Sequence, residues 1–165
     1  HKEIQYEMFV TQLELALALD KPVIIHDREA HEDCLNITGR YPALRGVFHC
    51  YSGSVEMARE LVRRGWYLGF DGPVTYKNAR KALEVLEWCP LERILVETDS
   101  PYVLPDVPWT GSKKSLSRVR NSSLLLPRVV EEIARLKHLP PKTAEAAILE
   151  NTRRVFHLSG AKNGG

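Results

Sequence analysis

Four short apolar runs, each closed by ionisable residues, constrain the fold of this chain more than any other feature. Val23-Ile24-Ile25 leads into His26-Asp27-Arg28, and Gly46-Val47-Phe48 into His49-Cys50-Tyr51-Ser52-Gly53. Trp66 to Phe70 leads into Asp71-Gly72, and Ile94-Leu95-Val96 into Glu97-Thr98-Asp99-Ser100-Pro101. The runs are short and bounded by turn residues, and the last is continuously apolar, as in a strand covered on both faces. Amphipathic stretches alternate with them. Met8, Phe9, Leu13, Ala16 and Leu17 share a helical face ahead of the first run, and a helix is expected from about Glu29 to Thr38. Ser54 caps a helix that turns Ala58, Leu61 and Val62 inward and stops at Gly65; another spans Asn78 to Glu87. Strands spaced by helices read as parallel, joined by right-handed crossovers. The expected class is α/β, with about four parallel strands and covering helices.

From Thr98 to Asn121 the pattern lapses into a long loop punctuated by Pro101, Pro105, Pro108 and Gly111. Loops of that length inside a compact domain are usually functional. Leu126, Val129, Val130, Ile133 and Leu136 then mark a strong amphipathic helix, and Pro140-Pro141 separates it from a final helix over Lys142 to Phe156. Residues 1–158 are thus read as one domain and 159–165 as a flexible tail.

Composition narrows the class without naming a partner. With 44% hydrophobic and 27% charged residues the chain is neither disordered nor fibrous. Its apolar runs fall short of the ~18 residues a membrane span needs. Cys34, Cys50 and Cys89 are too far apart for a Cys-x-x-Cys motif, so reduced thiols and a cytoplasmic location are expected. A net charge of +2 makes no whole-molecule case for a polyanionic partner.

In parallel α/β folds the active site lies at the carboxyl ends of the strands. Side-chain alternation puts Ile24 with His26, Val47 with His49, and Leu95 with Glu97 and Asp99, while Cys50 should face away from His49. Two imidazoles and a carboxylate at one rim are ligand types for zinc, manganese or a similar divalent ion, and suit metal-assisted hydrolysis. Singly, each has an ordinary explanation. A strand-end histidine is commonly a hydrogen-bonded structural residue, Asp99 is a turn former before Ser100-Pro101, and Glu97 would partner a buried cation. Their occurrence at equivalent strand ends favours a shared site. From Val107 to Val130 there is no acid, while Lys113, Lys114, Arg118, Arg120 and Arg128 are basic, and Tyr102 and Trp109 offer stacking surfaces. A solvated loop would explain that stretch equally well.

Three segments together carry a resemblance: Pro22 to Arg28, Gly46 to Gly53 and Ile94 to Tyr102. In order and spacing they resemble the signatures of TatD-type metal-dependent deoxyribonucleases. Gly69 to Gly72, Lys77 to Ala79 and Glu150 to Phe156 are similar to that family as well. The resemblance implies part of a TIM-type (β/α)8 barrel, with two divalent ions in the family (zinc, manganese or magnesium). It implies hydrolysis of DNA phosphodiesters, with single strands or 3′ ends as partners and some relatives acting as D-aminoacyl-tRNA deacylases.

Carried onto this chain, the resemblance makes His26, His49 and Asp99 metal ligands and Asp99 and Glu97 catalytic. Arg28, Lys113, Arg120 and Asn121 become the residues expected to face substrate. The family's His-x-His on its first strand and its metal-bridging glutamate have no counterpart here, so the chain reads as the family's carboxyl-terminal part. In the long loop the family's Arg-Gly-Lys-Arg-Asn-Glu-Pro also gives way to Thr110-Gly111-Ser112-Lys113-Lys114, with Arg120-Asn121 only after extra residues. A catalytically silent phosphate-binding fragment, hydrolysis of another ester or amide, and self-association across open sheet edges are the competing expectations.

Overall fold

β-branched and aromatic residues crowd the four apolar runs, and in the computed structural model, which describes residues 1–108 and 119–158, each forms a strand. They are β1 (Val23–His26), β2 (Gly46–His49), β3 (Tyr67–Phe70) and β4 (Ile94–Val96). All pair in parallel in the sequential order β1-β2-β3-β4. Sequential parallel order without reversal curves as one wall of a barrel; a doubly wound sheet would reverse direction at a switch point.

The helices are α1 (Lys2–Ala18), α2 (His31–Thr38), α3 (Val55–Arg63), α4 (Arg80–Trp88), α5 (Leu126–Leu136) and α6 (Pro141–Phe156). Two helices show local causes for their boundaries. Ser54 Oγ accepts the Met57 amide at 3.2 Å to start α3, and Gly65 follows its end at φ 91°, a left-handed value that glycine adopts without a Cβ clash. Pro141 opens α6, where a missing amide hydrogen costs nothing, and His157 closes it at φ 53°. In α1 the expected inward face is only partly realised: Leu13 and Ala16 are buried, whereas Met8 is 55% exposed.

Register splits the side chains between two layers. Ile25, Phe48, Leu68 and Ile94 lie in one paired row and pack against the helices in the main core, with Phe70, Leu61, Leu86 and Ile133. On the opposite face Val47, Tyr67 and Leu95 gather with Val155 of α6 into a smaller cluster. At roughly 1.5–3 kcal/mol for each large side chain removed from water, the helix-facing layer dominates stability. β1 and β4 are the outer strands. On the inner face of β1, Ile24 is 62% exposed, which is uncommon for an aliphatic side chain in a strand centre.

Among the described residues no helix is long and apolar enough to cross a membrane.

Candidate metal centre

The site forms where β1, β2, β3 and β4 end. Parallel pairing sets His26 opposite His49 in the same register row. Their rings meet, with His26 Nδ1 2.8 Å from His49 Nε2 and ring centroids 5.1 Å apart. The other nitrogen of His49 turns toward the carboxylates. Its Nδ1 lies 3.4 Å from Glu97 Oε1 and 3.6 Å from Asp99 Oδ1. Four of the residues that strand alternation assigns to one face therefore converge.

Glu97 continues β4, with its amide bonded to the Phe70 carbonyl at 3.0 Å. Its carboxylate reaches back across the sheet over Gly69 and accepts the backbone N–H of Cys50. Burial pushes its carboxyl up to about 7; the amide of Cys50 opposes this shift, and the charges of Asp71 and Asp99 add to it.

Alternation ends at His49. Cys50 and Asp99 adopt left-handed backbone, at φ 45° and 49°; Cys50 thereby leaves the strand pattern, while Asp99 still reaches the rim that alternation assigns it. Instead of facing away from the rim, the Cys50 thiol joins Asp71 and Asp99 in a group whose ligand atoms lie within 4.8 Å of one another. Cys50 Sγ sits 3.6 Å from Asp71 Oδ1, and burial, then the Asp71 charge, pushes the thiol up to about 12. Asp71 is 3% exposed, and its Oδ2 has no hydrogen-bond partner among the described residues. Burial first and the Asp99 charge second raise its carboxyl to about 6. A buried oxygen without a donor, beside two more carboxylates, is chemistry that a cation would satisfy. The sequence had marked Asp71 only as the ionisable end of its strand.

The remaining expected residues are placed differently. Arg28 and Arg120 are exposed, and Lys113 lies outside the described residues, as do Trp109 and the 159–165 tail. Asn121 is 4% exposed, and its amide nitrogen points at the carbonyls of Thr98, Tyr102 and Val103 at 2.5, 2.8 and 3.0 Å. Its side-chain oxygen accepts the Ser122 amide at 2.8 Å, so the whole group is used in fastening the loop that carries Asp99. His31 Nδ1 bonds Asp27 Oδ2 at 2.7 Å, tying the turn after β1 to α2. Cys34 and Cys89 are buried core residues, as expected.

A barrel wall with imidazoles and carboxylates at the carboxyl ends of its strands belongs to the metal-dependent hydrolases of the TIM-barrel class. The particular family is specific: the profile of the TatD related DNases matches residues 1–157, and this chain belongs to that family. A metal-dependent hydrolase of Bacillus subtilis, YabD, described as uncharacterized, is 39% identical over 160 residues, 96% of this chain and 60% of that protein. The human 3′-5′ RNA nuclease TATDN2 is 42% identical over 159 residues, 93% of this chain and 20% of that protein. The crystal structure of YJJV, a TatD homologue from Escherichia coli K12, superposes with a TM-score of 0.76 at 31% identity, covering 90% of this chain and 54% of its own. The chain thus spans about 60% of the length of its Bacillus relative. The sheet is accordingly part of a TIM-type barrel.

Proposed function

We propose that this chain carries the carboxyl-terminal half of a metal-dependent phosphodiesterase centre that cleaves DNA, with single strands or 3′ ends as substrate. The observation that supports it most directly is the convergence of His26, His49, Glu97 and Asp99 at one rim, with His49 contacting the other three. The donor set fits a divalent ion: imidazole nitrogens and carboxylate oxygens together suit zinc or manganese, and the unpartnered Asp71 oxygen adds a hard oxygen donor nearby. His26 and His49 would hold one such ion and Asp99 a second, with Cys50 and Asp71 within reach of Asp99. When bound, it supplies Lewis-acid polarisation of a phosphoryl oxygen and lowers the pKa of water.

The chain's own residues do the rest. Glu97 accepts the Cys50 amide and faces His49 Nδ1, so it fixes the tautomer and tilt of that imidazole. Asn121 holds the Asp99 loop in place through Thr98, Tyr102 and Val103. Arg28, exposed beside His26, and Arg120 and Lys113 of the long loop would meet phosphate oxygens. The family's description as DNases and the nuclease name of the human protein agree with phosphodiester chemistry.

The exposed inner face of β1 and the family ligands without counterpart favour one second reading, a metal-binding but catalytically silent piece. One experiment separates them. The purified chain is loaded with Zn or Mn, freed of loose ion, and assayed for metal content and for cleavage of end-labelled single-stranded DNA, RNA and D-aminoacyl-tRNA. Chelator-sensitive DNA cleavage that scales with protein and vanishes in His49→Ala supports the nuclease. Bound metal without turnover assigns the silent reading, and no bound metal overturns both.

A further inference from the structure

A cavity of about 520 Å³ opens beside the candidate centre, between the β2 and β3 exits and the start of α4. It shares two residues with the centre, Cys50 and Asp71. Its walls are mostly apolar, with Pro73 and Val74 from the single turn Gly72–Thr75 that follows β3. Its lip is cationic: Arg80 and Lys81, both exposed, stand in the first turn of α4, which contains no acid. The amino end of α4 adds partial positive charge on the same side.

A ligand matching this distribution has a largely apolar body and a phosphate at one end. The volume lies in the range of small-molecule sites. Resting on the phosphodiesterase reading above, we propose that this cavity seats the nucleotide adjoining the scissile bond, with its base against Pro73 and Val74 and its phosphate against Arg80 and Lys81. The cavity joins the centre through Cys50 and Asp71, so a chain lying in it delivers its next phosphate to His49 and Asp99. Recognition through an apolar wall and two phosphate contacts tolerates sequence variation, as expected for single-strand binding.

The test uses the 165-residue chain in chelator, with a short fluorescein-labelled oligothymidylate and an abasic oligomer of the same length, read by anisotropy across a salt series. Arg80→Glu with Lys81→Glu should weaken oligothymidylate binding roughly tenfold or more and flatten the log–log salt slope by about 0.7, the value for one lost single-strand phosphate. The equal charge change Lys21→Glu with Arg40→Glu, ahead of the amino ends of β1 and β2, should weaken it less than about threefold. Ala79→Phe, which narrows the cavity without altering charge, should erase the preference for oligothymidylate over the abasic strand. If the wild type binds and the α4 reversal leaves binding intact, or the control reversal weakens it equally, this inference falls while the phosphodiesterase reading stands. Equal wild-type binding of the abasic strand overturns the base-seating half. If the wild type binds neither oligomer, both the inference and the nucleic-acid reading fall.

Discussion

Gly69 leaves the space that the Glu97 carboxylate occupies. A Cβ built on Gly69 would stand 2.9 Å from Glu97 Oε1 and 3.1 Å from its carboxyl carbon, closer than packed atoms tolerate. In the register Gly69 pairs with Leu95, two residues before Glu97, so the missing side chain lets that carboxylate lie back over β3 toward Cys50 and His49. Gly69→Ala should therefore displace Glu97 while sparing the strand, whose backbone any residue adopts. The expected outcome is a fall of about 10–100-fold in divalent-ion affinity, the usual loss when a ligand's supporting partner is removed. The melting temperature should drop modestly. Titration calorimetry with Zn on both proteins checks this, and unchanged affinity would detach Glu97 from the centre.

Because His49 touches His26, Glu97 and Asp99 at once, it should control ion binding more than any of its neighbours. An ion that binds the folded but not the unfolded chain stabilises it by about 2.7 kcal/mol at a hundredfold excess over Kd. The wild type should accordingly melt several degrees higher with saturating Zn or Mn, reversibly on chelation. In His49→Ala the increment should disappear while the melting temperature in chelator stays within a few degrees of wild type. A persistent increment would place the ion elsewhere.

How far the sequence reveals this site can be judged residue by residue. The meeting of His26 and His49 follows from period-two alternation and sequential parallel pairing, both visible in the apolar runs. The position of Cys50 is not visible, because a single left-handed residue after a strand depends on tertiary packing. Strict alternation consequently sent Cys50 to the other side. Asn121 was expected at the substrate from the family resemblance; the carbonyls of a long loop need donors, and its amide meets three of them. Met8 fits an inward helical face by spacing but is exposed, since α1 buries only Leu13 and Ala16.

Asn151 performs for β4 what Asn121 performs for the loop. Only 2% exposed, it donates its side-chain amide to the carbonyls of Leu91 and Ile94 at 2.8 and 2.9 Å. Those groups sit where the chain turns into β4, and α6 brings the only partner they have from that helix among the described residues. Asn151→Leu keeps the volume but strips one donor from each carbonyl, leaving that of Leu91 with the Ile94 amide alone, at about 0.5–1.5 kcal/mol for each hydrogen bond lost. Urea denaturation should show a loss of roughly 1–3 kcal/mol with an unchanged m-value. A loss below about 0.5 kcal/mol would mean that water replaces the amide.

The buried thiols tie stability to alkaline pH with a definite sign. Burial pushes Cys89 up to about 12, and burial followed by the charge of Asp27 pushes Cys34 to about 11. Unfolded cysteine ionises near pH 8.5. Above that pH the unfolded chain sheds thiol protons that the folded chain keeps, so fewer protons are bound in the unfolded state and stability falls as pH rises. The fall should begin near pH 8.5 and continue until the folded thiols themselves ionise, near 11 for Cys34 and 12 for Cys89, at up to about 1.4 kcal/mol per pH unit for each thiol. The double variant Cys34→Ala with Cys89→Ala should be less stable at pH 7 through lost packing, yet its stability should decline less steeply between pH 9 and pH 11. Iodoacetamide at pH 8 should leave both thiols of the native protein largely unmodified and label them rapidly in urea. Equal alkaline slopes in the two proteins would show that other groups, such as the buried Tyr51 phenol that burial also raises, carry the pH dependence.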